Sequence, residues 1–333
     1  MKRTRRTVHA AVVFVVMTLA AAAASAADWK IAKGTNDDLP GLNVTVTRDG
    51  KIVARLIYGE GQQIPYLALY DTEGRLVTNP GMVGKEGKIV GSEPHHRGIF
   101  IGWQRVQSDL GVANLWSIGG GARMTLVDLP ELSTTSDSAT IVARVEWRAA
   151  TKDATGSDLL LVETRRMRIS RSAADEVATV DASFRLTPVR DLRLDGDVQH
   201  AGIHLRVSHV VAEQPKLTSY LWAPDVPAVP GKVVSPQLKW GEFLFPLHGR
   251  WYSAMQMNAP ANPVEEFSTR EYGRFGFFFK KDLKKDATLD VRYRFVVRYA
   301  DTPAQDPQRS PDQAANARAA SEAAYAAFLR EAK

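Results

Sequence analysis

Apolar and polar residues alternate with a period of two along most of this chain. Ile141, Ala143, Val145 and Trp147 interleave with Val142, Arg144, Glu146 and Arg148, and Leu289, Val291, Tyr293, Phe295 and Val297 interleave with Asp290, Arg292 and Arg294. Successive strand residues point to opposite faces, so such runs predict strands with one face in a core. Similar stretches occupy 43–48, 52–58, 64–70, 98–103, 159–169, 177–186, 198–208, 250–257 and 273–280. Turn signals separate them, among them Arg48-Asp49-Gly50, Asp71-Thr72-Glu73-Gly74 and Asp195-Gly196. Many strands without intervening helices favour a sandwich or barrel over βαβ units. The expected fold is all-β, a large antiparallel β-sandwich over 27–300. No fixed-period repeat points to a propeller.

Other segments break the alternation. Residues 213–240 carry Pro215, Pro224, Pro227, Pro230 and Pro236 and read as an irregular crossing loop. Residues 301–312, with Pro303, Pro307 and Pro311, read as a linker. Residues 313–333 are rich in Ala, Arg, Glu and Leu, strong helix formers, and predict a C-terminal helix with Asp312 as its N-cap. Its few large apolar residues, Tyr325, Phe328 and Leu329, come late, so weak docking is expected. At the other end, Lys2, Arg3, Arg5 and Arg6 precede an apolar run from Ala10 to Ala24 and the small-residue pattern Ala24-Ser25-Ala26. That is the pattern of a cleavable signal peptide over 1–26, cut after Ala26, and it predicts a periplasmic or secreted protein. The run is shorter than the roughly 20 residues a spanning helix needs. Nothing later in the chain predicts integral membrane association after cleavage.

Charge and cysteine usage narrow the chemistry. Removing the four basic residues of the leader lowers the formal net charge from +6 to +2, which gives little reason to expect a nucleic-acid partner. The chain has no cysteine, which excludes disulfides, thiolate metal sites and cysteine nucleophiles.

Histidine is concentrated. Beyond the leader there are His95, His96, His200, His204, His209 and His248, five of them in two short stretches. The first runs Glu93-Pro94-His95-His96-Arg97-Gly98 to Gly102-Trp103. The second runs Asp197-Val198-Gln199-His200 to His209. As a strand, it puts Ala201, Ile203, Leu205 and Val207 on one face and His200, Gly202, His204, Arg206 and Ser208 on the other. Such a polar face is costly to bury without partners, so it is expected to line a wet cleft. At about 3.3 Å per residue, the backbones of His200 and His204 lie roughly 13 Å apart, too far to share one metal as strand neighbours. His204 and Arg206 are close enough to share one anionic or sugar ligand. Arg270 and Tyr272, in a turn-rich segment, are further candidates for the cleft.

The order His95-His96-Arg97-Gly98, Gly102-Trp103, Leu115-Trp116, then Gly202-Ile203-His204-Leu205-Arg206, Asn262-Pro263, Arg270-Glu271-Tyr272-Gly273 and Val291-Arg292-Tyr293-Arg294 resembles a bacterial family labelled methane oxygenase PmoA, or PmoA-like. Asn114 stands where relatives often carry an acid before the aromatic pair. The resemblance implies a sandwich of the galactose-mutarotase type and a role in carbohydrate utilisation, not methane oxidation, for which the chain lacks membrane spans.

The sequence therefore predicts an exported carbohydrate-active protein. The favoured form is an enzyme using histidine acid/base chemistry on a small-molecule or oligosaccharide substrate, by elimination, hydrolysis or epimerisation. His96, His200 and His204 are the candidate proton-transfer groups. His95, Arg97, Arg206, Arg270 and Tyr272 are candidate substrate contacts, Trp103 and Trp116 candidate stacking platforms, and Glu93 and Glu163 candidate carboxylate partners. The sequence names no cofactor and leaves a divalent metal open. The alternatives are a non-catalytic sugar-binding module and a histidine-ligated divalent-metal enzyme joining His95 or His96 to His200 or His204.

Overall fold

The computed structural model describes residues 27–35, 41–59, 61–80, 95–117, 120–222, 233–234, 238–263, 266–300 and 311–331. The expected signal peptide, the candidate Glu93 and most of the Pro-rich linker lie outside them.

The strands, in chain order, begin with β1 Trp29–Thr35, β2 Leu42–Arg48, β3 Lys51–Tyr58, β4 Tyr66–Leu69, β5 Ile99–Trp103, β6 Arg105–Ser108 and β7 Gly111–Ala113. They continue with β8 Arg123–Thr134, β9 Ser138–Arg148, β10 Leu159–Ser170, β11 Glu176–Pro188, β12 Leu192–Asp195 and β13 Ala201–Arg206. The remainder are β14 Ser219–Trp222, β15 Val233–Val234, β16 Trp240–Leu247, β17 Arg250–Asn258, β18 Glu266–Arg270, β19 Arg274–Phe278, β20 Lys281–Leu283 and β21 Leu289–Ala300. One helix, α1, spans Pro311–Glu331.

The first sheet has the order β1-β2-β3-β4-β5-β13-β19-β18-β15, the second β14-β16-β17-β21-β11-β10-β9-β8, and a small third sheet β20-β12-β6-β7. The paired strands run antiparallel throughout. Hairpins follow the turn chemistry: Asp49 and Gly50, both at positive φ (52° and 77°), join β2 to β3.

The two large sheets face each other across one core. Trp103 on β5 and Trp147 on β9 meet with ring centroids 5.8 Å apart, and Phe277 on β19 meets Tyr293 on β21 at 6.2 Å. Gln256 Nε2 on β17 donates to the Ile203 carbonyl on β13 at 3.0 Å, tying the sheets with a polar cross-link. The alternating residues of β9 and β21 read from the sequence supply this core: Ile141, Ala143, Val145, Tyr293 and Phe295 are fully buried. The expected fold class, an antiparallel β-sandwich with a C-terminal helix, is the observed one.

Three local expectations need correcting. The helix starts at Pro311, whose missing N–H suits a first helical position, so Asp312 lies inside the first turn rather than capping it. The helix is also firmly docked. Phe328 is fully buried, Trp240 Nε1 donates to Glu322 at 3.1 Å, and the Tyr325 hydroxyl donates to the Asn258 carbonyl at 3.2 Å. Finally, the 198–208 stretch is not one strand, because β13 begins only at Ala201 and Asp197–His200 form a turn. Among the described residues no helix is long and apolar enough to cross a membrane.

Glu163 on β10 is part of the framework. Its carboxylate accepts from Arg165 Nε at 2.6 Å and from Trp147 Nε1 at 2.7 Å, with both charged side chains almost completely buried. Arg165 Nη1 also donates to the Pro65 carbonyl at 3.0 Å, bridging the sheets. Removing one partner of such a pair strands a buried charge. Glu163→Ala should therefore lower unfolding stability by about 3–5 kcal/mol. Glu131→Ala, which breaks an exposed pair with Arg166, should change it little. Urea denaturation of the two variants checks both expectations.

Candidate functional site

The outward face of the first sheet carries the candidate site. On β5, Ile99, Ile101 and Trp103 enter the core, while Phe100 turns outward with Ile57, Tyr66, Ala68 and Trp116. Strand β13 lies beside β5 with His204 opposite Phe100, and β19 lies beyond it with Gly276 opposite His204 and Arg274 opposite Arg206. Next comes β18, with Ser268 opposite Gly276 and Arg270 opposite Arg274. One face thus gathers His204, Arg206, Arg274, Arg270 and Ser268 from three adjacent strands.

Gly276 makes room for this arrangement. A Cβ there would stand 2.2 Å from the Ile203 carbonyl oxygen and 2.6 Å from His204 Cα and Cγ, so only glycine lets the imidazole lie across the neighbouring strand. The ring is wholly buried and uses both nitrogens. Arg274 Nη1 donates to Nδ1 at 2.9 Å, so Nδ1 carries no proton; Nε2–H then donates to the Ala201 carbonyl at 2.7 Å. Burial, then the Arg274 charge, holds this histidine well below its ordinary pKa. His204 is therefore a neutral positioning group. The expectation that it transfers protons is overturned, because neither nitrogen is available.

Arg274 itself is fully buried, yet its partners are neutral. Besides His204 they are Gln199 Oε1 at 2.6 Å, Ser268 Oγ at 3.3 Å and the Tyr272 hydroxyl. Burial lowers its pKa, and the nearby Arg270 charge lowers it further. Arg206, also fully buried, sets its guanidinium over the Tyr272 ring, 4.6 Å from the centroid. The polar face expected to line a wet cleft is thus sealed at His204 and Arg206.

His96 lies on the same face. Its ring is 3% exposed and stacks near Tyr272, with centroids 6.1 Å apart and 14° between planes. His95 is 4.0 Å away, Trp116 5.8 Å and Phe100 6.3 Å. Neither ring nitrogen of His96 has a hydrogen-bond partner among the described residues, and neither does the Trp116 indole N–H. Burial, followed by the charge of Arg274 and the neighbouring His95, His204 and Arg206, drives the His96 pKa far below its ordinary value. The two histidine stretches do meet: Phe100 and Trp116 touch both His96 and His204.

His200 differs from both. It sits in the turn before β13, its side chain 39% exposed, with Nδ1 2.9 and 3.0 Å from the two carboxylate oxygens of Asp197. Burial would raise the Asp197 pKa, but the Gln199 amide and the His200 ring outweigh it and hold that carboxyl below its usual range. His200 also approaches Trp116 edge-on at 6.3 Å. Asp197 orients the ring and leaves Nε2 directed elsewhere, the arrangement of an acid/base dyad.

Several expected residues are placed otherwise. Trp103 is buried in the inter-sheet core, where its indole donates to the Phe279 carbonyl at 2.9 Å; one residue of strand parity takes it off the site face. Trp116 reaches the site but has no exposed surface, so it is a wall among the histidine rings rather than an open platform. Arg97 turns toward Gln62, the Ile64 carbonyl and the Tyr66 ring, and burial lowers its pKa to about 10. Glu163 belongs to the opposite sheet and supports no histidine. The residues missed by sequence reading are Asp197, Gln199, Ser268 and Arg274. Asp197 lay three positions before His200, and Arg274 four after Arg270, within segments already singled out. Among the described residues, no group of three or more His, Asp or Glu side chains is placed to hold a metal ion, and His204 has no free donor to contribute.

These features define an antiparallel β-sandwich protein with a histidine–arginine cluster on the outward face of one sheet. The chain belongs to a family of unknown function, DUF6807, whose model matches residues 43–309. That match replaces the PmoA-like assignment, since it spans every motif, from His95 to Arg294, on which the resemblance rested. No curated protein matches the chain. Solved structures similar to it include a mutant heparan sulfate lyase HepC from Pedobacter heparinus, 11% identical, covering 84% of this chain and 36% of that one, with a TM-score of 0.36. A glycoside hydrolase family 97 enzyme from Pseudoalteromonas sp. strain K8 is 9% identical over 75% of this chain and 34% of its own, with a TM-score of 0.40. The Slr1438 protein from Synechocystis sp. PCC 6803 is 8% identical over 80% of this chain and 99% of its own, with a TM-score of 0.46. The chain spans about a third of the length of the first two.

The buried histidines make stability depend on pH. In the folded protein His96 and His204 stay neutral, whereas in the unfolded chain they protonate near the ordinary value of about 6.5. The unfolded state therefore binds more protons below that value. The stabilisation is fully present above about pH 6.5 and is lost as the pH falls below it, by up to about 1.4 kcal/mol per pH unit for each histidine. Urea midpoints measured from pH 7.5 to 5 should fall accordingly, and the NMR shifts of both rings should remain those of neutral imidazole throughout.

Proposed function

We propose that this protein is a carbohydrate-active enzyme in which the Asp197–His200 dyad moves a proton on a sugar substrate. The observation that carries the reading is the contact of His200 Nδ1 with both Asp197 carboxylate oxygens, beside the Trp116–His96–His204 cluster. Asp197 fixes Nδ1 as the proton-bearing nitrogen, so Nε2 is the basic one. Elimination, epimerisation and hydrolysis share a first requirement: a base that takes a proton from a substrate carbon, a hydroxyl or water and returns it to a leaving oxygen or to carbon. His200 meets that requirement: its side chain is partly exposed and its ring is oriented by a carboxylate. His96 supplies a neutral hydrogen-bonding ring, and His204 holds Arg274 in place. A sugar suits a site in which the partly exposed Tyr272 ring and Gln199 carboxamide both adjoin Arg274. The basic, apolar and small-residue pattern of the first 26 residues supports export, which would put the enzyme where extracellular glycans are met.

The test is turnover on a panel of plant and bacterial oligosaccharides and keto-sugars, followed by NMR. His200→Ala and Asp197→Asn should lower kcat by about 10²–10⁴-fold while substrate affinity changes little. Undiminished turnover in both variants would remove the dyad from the mechanism. Tight sugar binding without turnover by the wild type would make the protein a binding module.

A further inference from the structure

We propose that Arg274, flanked on the same sheet face by Arg206 and Arg270, forms with the His96 ring a binding site for an oxyanion, so that the substrate is an acidic sugar. This rests on the sugar-enzyme reading above and names the substrate class of that site.

Three arginines stand at one level across three neighbouring strands, with Arg206 and Arg270 each the direct cross-strand partner of Arg274. Like charges placed opposite each other repel, and β-sheets ordinarily avoid such pairs. Here Arg206 and Arg274 are fully buried as well. A buried charge needs compensation, yet no carboxylate among the described residues lies within ion-pair distance of Arg274. Its contacts with His204, Gln199, Ser268 and Tyr272 fix its direction without neutralising it. Nearby, the two nitrogens of the almost wholly buried His96 also lack a partner among the described residues. A carboxylate or sulfate ester would answer both needs, offering several acceptor lone pairs to guanidinium donors and one to a ring N–H. It would also relieve the positive field that now opposes protonation of His96. A neutral sugar hydroxyl would leave the Arg274 charge uncompensated.

The carboxylate and sulfate sources share this chemistry and are separated by the ligands used. Calorimetry on the full wild-type protein at low salt should compare glucuronate, glucose 6-sulfate, glucose and inorganic sulfate. At least one acidic sugar should bind about ten- to a hundredfold more tightly than glucose, and the difference should shrink as salt is added. Arg270→Gln, at a half-buried position, should cut that preference. In the bound protein the His96 ring should begin to titrate toward neutral pH by NMR. Equal affinity for acidic and neutral sugars, failure of both acidic sugars to bind at millimolar concentration, or inorganic sulfate binding as tightly as the acidic sugars would each overturn the proposal. His200→Ala separates the two readings, since it should lower kcat as above and keep the acidic preference. Preference without turnover in the wild type would sink the enzyme reading alone, and turnover of neutral sugars without preference would sink this one alone.

Discussion

A guanidinium sealed inside a protein must find hydrogen-bond acceptors, and the way Arg274 finds them organises the whole outward face of the first sheet. Its bond to His204 Nδ1 fixes the tautomer of that ring, and the opposite nitrogen then grips the Ala201 carbonyl. Ala201 follows His200 directly, so a line of bonds leads from β19 through β13 to the turn that carries His200. Asp197 secures the other side of the same turn through the Gln199 amide and the His200 ring. The half-exposed histidine is thus held from both ends, by the backbone at Ala201 and by the Asp197 carboxylate, which gives its ring a fixed direction.

Three histidines of one residue type consequently have three different characters. His204 has two partners and no solvent, so it is a structural connector. His96 has almost no solvent and no hydrogen-bond partner among the described residues, and burial, followed by the Arg274 charge, keeps it neutral. His200 has a carboxylate on one nitrogen and solvent access for the ring. Burial and partner identity set these differences, and none of them follows from position along a strand.

The fold was legible in the sequence because a two-residue period is a direct consequence of strand geometry. Ile141 to Trp147 and Leu289 to Val297 could be assigned to a core without knowing what they packed against. The meeting of the histidine stretches was legible too, since each carried polar residues that a core would reject. The individual roles were less so. Reading 198–208 as one strand put His200 on the face of His204 and hid the turn that brings Asp197 to its ring. Glu163 attracted notice as a carboxylate, but its partners are Arg165, two residues along its own strand, and Trp147 on the neighbouring β9. Arg274 was passed over because its importance lies in register: it stands opposite both Arg206 and Arg270, and register is set by tertiary pairing rather than by local pattern.

Parity then separates the two tryptophans that the sequence treated alike. On β5, Trp103 shares the inward face with Ile99 and Ile101, whereas Gly102 shares the outward face with Phe100. A Cβ at Gly102 would stand 2.2 Å from the Leu115 carbonyl oxygen, so the absence of a side chain there lets the Leu115–Trp116 segment lie flat against the strand. Leu115 N–H bonds the Trp103 carbonyl at 2.9 Å, and the Asn114 carboxamide accepts from the Trp116 and Ser117 amides at 3.1 and 3.0 Å. The segment is thereby turned so that the Trp116 ring comes down between His96, His200 and His204. Asn114 therefore acts on the site through the backbone it folds. The glycine at 102 and the amide at 114 together decide that one indole belongs to the core and the other to the histidine cluster.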